Sequence, residues 1–436
     1  MTTPRFATAL LLGALLLAGG AAAAAAQVPT TEPGVRIGLS YDPGSRPGVV
    51  VLPVSGPAGD SVRAILQRDL DYGDRAVVIT DGAGAAVAPA RLNYALYQRL
   101  GAAAVVQGTL TPTGLTLAVH DVAKRAVLRT ATLPLPSGTY GPEWRMAVHR
   151  AADTVEEWIF GTRGIAASRI AFVRNGRLYI THSDGAATEA ITGSGMALSP
   201  AWHPTGRYVA YADMSETGTQ IMVRDLDTRT SRRMASGGLN ITPAFSPDGE
   251  RLVYSHGTNN GADLYVISPF EEGAPRRITV GRGTLNMSPS FSPDGRRIAF
   301  TTDRPGRPDV YMTAIDGGEA TELLPFNFSD QSYRSNPDWS PDGRSVAFQS
   351  QIGGRFQVIT LTLKDRNVKQ LTNEGENEDP SWAPDGRHLV FTSSRSGTKQ
   401  LWVLDAETGR TRQLTREGGA RLAAWSTHDR VPIGAP

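Results

Sequence analysis

One motif recurs along the second half of the chain, and it restricts the fold more than any other feature of the sequence. Its copies occupy residues 200–211, 243–254, 289–300, 337–348 and 380–391, and the third reads Pro289-Ser-Phe-Ser-Pro-Asp-Gly-Arg-Arg-Ile-Ala-Phe300. A spacing of about 40–50 residues is that of one four-stranded propeller blade. The Ser-Pro-Asp-Gly core is a turn with a mechanism: proline presets φ, aspartate bonds its own backbone, and glycine takes the positive φ that closes a hairpin. Strand-like residues follow the turn, as at 252–254 and 298–300. A further strand follows in each unit, at 220–223, 263–266, 309–312, 357–360 and 400–403, and closing strands stand at 277–279, 370–372 and 413–415.

The ends of the array set the number of blades. Residues 169–173, 177–180 and 190–192 look like second, third and fourth strands with no first strand before them. Residues 422–426 look like a first strand with nothing after it. Joined, the fragments make one blade, and with the five whole units the count is six. The expected fold is mainly β with an α/β N-terminal domain. Its six-bladed β-propeller, over 169–430, is closed by pairing of N- and C-terminal blade segments, which leaves no open sheet edges between blades. The aromatic of each first strand (Trp202, Phe245, Phe291, Trp339, Trp382) is expected to pack between blades; a ligand-stacking ring is the alternative.

The preceding region has a different pattern. Apolar runs at 49–52, 77–79, 103–107, 115–119 and 127–130 read as strands. Residues 61–71 carry Val62, Ile65, Leu66 and Leu70 at helical spacing, with Asp60 as a candidate cap. Residues 91–100 form a second expected helix ending at Gly101, and 143–160 a third, stopped by Gly161. A small α/β domain over 35–161 results, joined to the repeats by a linker at 161–168. At the start, Arg5 precedes an apolar run from 6 to 17 and an alanine-rich end, the form of a signal peptide over 1–26 cleaved near Ala26. Residues 27–34 are short and rich in Pro and Thr, and are expected to be a flexible segment. An exported protein, not membrane-spanning and monomeric, is expected.

Composition narrows the chemistry. The net charge is +2 and the Arg doublets at 232–233, 276–277 and 296–297 are isolated, so no basic stripe suits nucleic acid. There is no cysteine, which excludes disulfides, thiolate chemistry and lipidation at an N-terminal cysteine. No Gly-x-Ser-x-Gly elbow and no phosphate-cradling loop occurs. The seven histidines are scattered, with no pair at metal-ligand spacing. His149 reads as a domain-packing or surface residue, and His388 as an unconstrained position in its repeat. The acidic stretch Glu374, Glu376, Glu378 and Asp379 reads as a solvated loop, with a cation site or partner contact as the alternative. The turn aspartates Asp248, Asp294, Asp342 and Asp385 belong to separate blades and are expected to shape turns. No catalytic residue, cofactor site or metal site emerges. Recognition is expected on the polar segments that lead into the first strands, among them Asn240, Thr242, Asn286, Ser288, Asn336 and Asp379.

The Ser-Pro-Asp-Gly blades, the α/β domain and the signal peptide together resemble the TolB family, the periplasmic component of the Tol-Pal system. The junction carries the most specific part of the likeness: Trp144-Arg145, Ala147, His149, Ala152-Asp153, Glu156, Gly161, Gly164-Ile165 and the strand beginning at Arg169. Arg46-Pro47 leading into 49–52 resembles the family's first strand, while His203 and Thr205 depart from the repeat in one blade. The resemblance implies a non-catalytic adaptor in the periplasm, serving outer-membrane integrity and cell division. It implies binding of the lipoprotein Pal at the propeller mouth, by the rim residues named above. It also implies engagement of TolA by a mature N-terminal segment including Gln27, Val28, Thr30 and Glu32. Other outer-membrane lipoproteins and colicin-like proteins are further implied partners. A secreted propeller for a glycan or peptide, or the regulatory half of a two-chain peptidase, are the alternatives.

Overall fold

The computed structural model describes residues 46–80, 92–136, 140–193, 195–216, 218–281, 283–324 and 333–429. The expected signal peptide and the segment with Gln27, Val28, Thr30 and Glu32 lie outside the described residues.

The α/β domain is one five-stranded sheet with helices on both faces. Gly48–Val51 runs parallel to both Val77–Val78 and Ala102–Thr111, and Gly114–Asp121 and Ala126–Leu133 extend the sheet antiparallel. Helices α1 (Gly59–Tyr72) and α3 (Pro142–Phe160) cover one face with Val62, Leu66, Val148, Val155 and Ile159. Helix α2 (Tyr94–Arg99) covers the other, where Tyr97 joins Val50, Leu52 and Val105. Proline at the first turn of α3 is harmless because its missing N–H has no helical partner, and Gly161 ends the helix at a φ of 71°. Asp60 is not the cap of α1. Ala58 takes the cap position with no side-chain hydrogen bond, and Asp60 lies in the first turn, where its charge favours the helix dipole.

The rest forms six four-stranded antiparallel sheets. Five run in chain order, from Met196–Trp202 at the start of the first to Thr411–Gln413 at the end of the last. The sixth is composite: Ala420–Trp425 pairs with Arg169–Arg174, followed by Arg177–His182 and Glu189–Ala190. Ring closure therefore follows the pattern expected from the orphan ends. The first-strand aromatics, with Trp425 as a sixth, are 5–9% exposed and sit in the clusters between blades. Each contributes about 1.5–3 kcal/mol by burial. Two indole N–H groups stitch neighbours together: Trp202 Nε1 donates to the Ala424 carbonyl at 3.0 Å and Trp382 Nε1 to that of Asp338 at 3.1 Å. Trp425 Nε1 donates to Ser168 Oγ at 2.7 Å, tying the last strand to the residue before the first.

Candidate partner-binding face

The innermost strands begin earlier than the repeat suggests. Each starts three or four residues before the motif's first position and is interrupted there by one extra residue relative to its neighbour. The bulged residues Ser199, Thr242, Ser288, Asn336, Asp379 and Leu422 all have φ between 47° and 54°. Five of them precede the repeat's proline, which a strand tolerates at a bulge because the ladder bond is already lost there. The bulge points six side-chain positions at the axis. They line one end of a central cavity of about 520 Å³ whose far end meets the prolines of the Ser-Pro-Asp-Gly turns.

Around this mouth runs a hydrogen-bonded belt. The Ser288 amide donates to Thr242 Oγ1 at 3.1 Å, Ser288 Oγ to Asn336 Oδ1 at 2.8 Å, and Asn336 Nδ2 to Asp379 Oδ1 at 2.5 Å. The belt stops at Leu422, which carries no polar group. Deeper in, Asp338 accepts from the Trp382 amide at 2.7 Å and Ser290 Oγ at 3.2 Å. Burial pushes Asp338 up to about 6 against these bonds. Burial, with the Glu378 carboxylate next, raises Asp379 likewise to about 6. The channel can therefore exchange protons near neutral pH, and it offers acceptors ready for a donor-rich segment.

Of the expected rim residues, Thr242, Ser288, Asn336 and Asp379 come together on this belt. Asn240 and Asn286 do not join them: both are 0% exposed. Asn240 Nδ2 donates to the carbonyls of Thr219 and Gly237, each at 2.9 Å, and Asn286 Nδ2 to Ala262 O and Asp263 Oδ1. They hold the approach to their own strands, and Asn377 repeats the role with Gln357 and Glu374. The acidic stretch is not simply solvated. Glu376 accepts from the Phe356 amide at 3.0 Å, and Glu378 pairs with Lys399. Outside the belt the same face carries exposed apolar side chains that sequence reading missed: Met196, Met214, Leu239, Val280, Leu285 and Tyr333, each 41–74% exposed. They sit at or just before the start of first strands, at the end of a second strand (Met214) and after a fourth (Val280), across the first four blades formed in chain order.

On the opposite face the α/β domain docks against the fifth and the composite blades. Arg410 reaches Asp71 and Asp74 at 2.9 and 2.7 Å, and the Arg412 guanidinium lies 4.1 Å from the centre of the Tyr72 ring. The join at 162–168 is held by Asp153, which accepts the amides of Ala166 and Ala167 at 2.8 and 3.0 Å. His388 is the opposite of unconstrained. It is fully buried, with Nδ1 donating to Asp385 Oδ2 at 2.8 Å and Nε2 to Asp74 Oδ2 at 3.3 Å across the seam. Burial alone would lower it, yet Asp385 and Asp74 hold it up at about 9. In the other regular turns a serine binds the aspartate, as Ser292 Oγ does Asp294 at 2.5 Å. Ala383 replaces that serine, and Asp385 is left free to take His388 and Arg75, the latter at 3.2 Å. His149 is likewise buried in the seam, its Nδ1 donating to Asp69 at 2.6 Å and its ring meeting His182 edge to face. Histidines far apart in sequence are thus brought together by docking of the domains, which spacing along the chain does not disclose.

Among the described residues, no helix is long and apolar enough to cross a membrane. The family described as TolB beta propeller domain, PD40, matches residues 157–429. The Tol-Pal system protein TolB of Methylococcus capsulatus is 33% identical over 204 residues, covering 43% of this chain and 47% of that protein. The TolB of Chromobacterium violaceum is 29% identical over 207 residues, covering 44% and 47%. The matched part thus spans about half the length of these curated relatives. The crystal structure of TolB from Acinetobacter baumannii shares the fold, with a TM-score of 0.77 over 89% of this chain and 98% of that one at 24% identity. With a closed six-bladed ring whose motif and extent match that family over most of the chain, this protein belongs to the TolB β-propeller family.

Proposed function

We propose that the chain is a non-catalytic periplasmic adaptor of the Tol-Pal system. Its uncovered propeller face binds the peptidoglycan-associated lipoprotein Pal, and its N-terminal segment around Gln27, Val28, Thr30 and Glu32 engages TolA after the signal peptide is removed near Ala26. The observation that carries this reading is the pairing of an apolar arc with a polar channel mouth on the face opposite the docked α/β domain. An apolar rim around convergent polar groups is the form of a protein-binding patch. The belt at Thr242, Ser288, Asn336 and Asp379 supplies orientation, while Leu239, Leu285 and Tyr333 supply area to bury. The turn aspartates support a non-catalytic role, because Asp248, Asp294 and Asp342 are spent on their own turns.

Calorimetric titration of the mature chain with the soluble domain of its Pal tests this. A one-to-one complex is expected, weakened at least tenfold by Leu239→Asp with Tyr333→Asp at unchanged melting temperature. Absence of a complex, or a complex indifferent to the pair, refutes it. Deleting residues 27–34 should abolish TolA binding and spare Pal. A free peptide or glycan is the second reading, favoured by the size of the channel, which falls in the small-ligand range. Such a ligand would raise the melting temperature without any Pal present.

A further inference from the structure

Two clusters of metal-ligating side chains lie in the seam between the α/β domain and the ring, and they differ in the state of their histidine nitrogens. In one, Asp74, His388 and Asp405 present ligand atoms within 4.8 Å of one another. Both nitrogens of His388 are already used, and Arg387 grips Asp405 through two nitrogens at 3.0 and 2.6 Å. That cluster is a satisfied ion network. In the other, His149 of α3, His182 of the composite blade and Asp184 just beyond it also present atoms within 4.8 Å. Here His149 Nε2 and His182 Nδ1 are buried with no hydrogen-bond partner among the described residues, on residues only 0% and 5% exposed.

Buried nitrogens are ordinarily satisfied, so two unpaired ones facing a common carboxylate call for an occupant that bonds to both. Their rings stand 5.3 Å apart between centroids, and His149 Nε2 is 3.8 Å from Asp184 Oδ2. His149 Nδ1 donates to Asp69 at 2.6 Å, which fixes the ring and can leave Nε2 as a bare lone pair. A carboxylate behind a histidine is the usual outer support of a metal-bound imidazole. Asp184 is shared with Arg68 at 2.6 Å and with Arg145. These two cations offset Asp69 and Asp184, so the pocket is close to neutral before any ion enters.

We infer that His149 Nε2, His182 Nδ1 and the Asp184 carboxylate form a zinc-class metal site that spans the two domains, with water as fourth ligand. Two imidazoles and one carboxylate suit a tetrahedral borderline ion and not calcium or magnesium, which take oxygen ligands. Ligands around such an ion stand about 3.3 Å apart, given bonds of about 2.0–2.2 Å, so the side chains must close in slightly. Metal binding would clamp α3 to the composite blade.

The test titrates the chelator-treated mature chain with Zn²⁺ against a chromophoric competitor, and separately with Co²⁺. One equivalent of Zn²⁺ per chain, a rise in melting temperature, and intense visible Co²⁺ bands of a four-coordinate site are expected. His182→Gln and His149→Gln, on opposite sides of the seam, should each weaken binding at least tenfold. Asp69→Asn should weaken it by about ten- to a hundredfold, and His256→Gln in a distant blade should change nothing. Binding of less than one equivalent, the weak spectrum of a six-coordinate aquo ion, or equal affinity in folded His182→Gln overturns the inference.

Discussion

Replacing His388 with leucine should loosen the seam, and it should do so in a pH-dependent way. The folded value of about 9 lies above the ordinary 6.5, so the charged ring stabilises the fold fully below about pH 6.5. That contribution is lost as pH rises toward and through 9. At about 1.36 kcal/mol per pH unit the displacement corresponds to about 3 kcal/mol, in line with the roughly 3–5 kcal/mol typical for removing one partner of a buried pair. Asp385, held down by the same contact, reports the same energy and is not added. The assay is denaturant unfolding of wild type and His388→Leu at pH 6 and at pH 9.5. Burial pushes Glu156 up to about 8, so it titrates in this window in both proteins. Because the His388 charge also lowers Glu156, the difference between the two proteins carries the histidine together with a smaller contribution from Glu156. A deficit of about 3 kcal/mol at pH 6 that shrinks below about 1 kcal/mol at pH 9.5 is expected. A deficit that is the same at both values, or absent at pH 6, refutes the reasoning.

Further outcomes follow from the same contacts. Trp425→Ala should cost about 3–5 kcal/mol in chemical denaturation, since it opens a cavity and strips Ser168 of its donor in the strand that closes the ring. Asn286→Ala should lower stability by about 1–3 kcal/mol yet leave Pal affinity unchanged in calorimetry, because its amide serves the blade. Carboxyl carbon signals of Asp379 followed by NMR should titrate with a midpoint near 6, and a midpoint below about 4.5 contradicts its burial beside Glu378.

The ring was legible because its turns are written in residues with few other uses. Ser-Pro-Asp-Gly names a hairpin, and the unmatched strands at 169–173 and 422–426 fit one blade. The inner-strand bulges were hidden behind the prolines, which read as strand beginnings; only geometry shows a strand running through them. Asn240 and Thr242 stand two positions apart on a strand, but the bulge between the surrounding pairs breaks the alternation that would have put them on one face. The seam left a trace that repeat comparison alone could have flagged. Ala383 departs from the pattern in one copy, where sisters carry Ser246, Ser292 or Ser340, while the position of His388 holds Tyr208, Arg251, Arg297 or Ser345 elsewhere and sets no rule to break. The pairing of His149 with His182 had no such trace, since it depends on how two separately folded surfaces meet.

Hydrogen–deuterium exchange of the mature chain with and without the soluble domain of Pal tests the central claim most directly. The account predicts slowed exchange in the bulge segments around Thr242, Ser288, Asn336 and Asp379 and in the strand starts at Leu239 and Leu285. Protection confined to the outer strands, to the domain-covered face, or nowhere would contradict it.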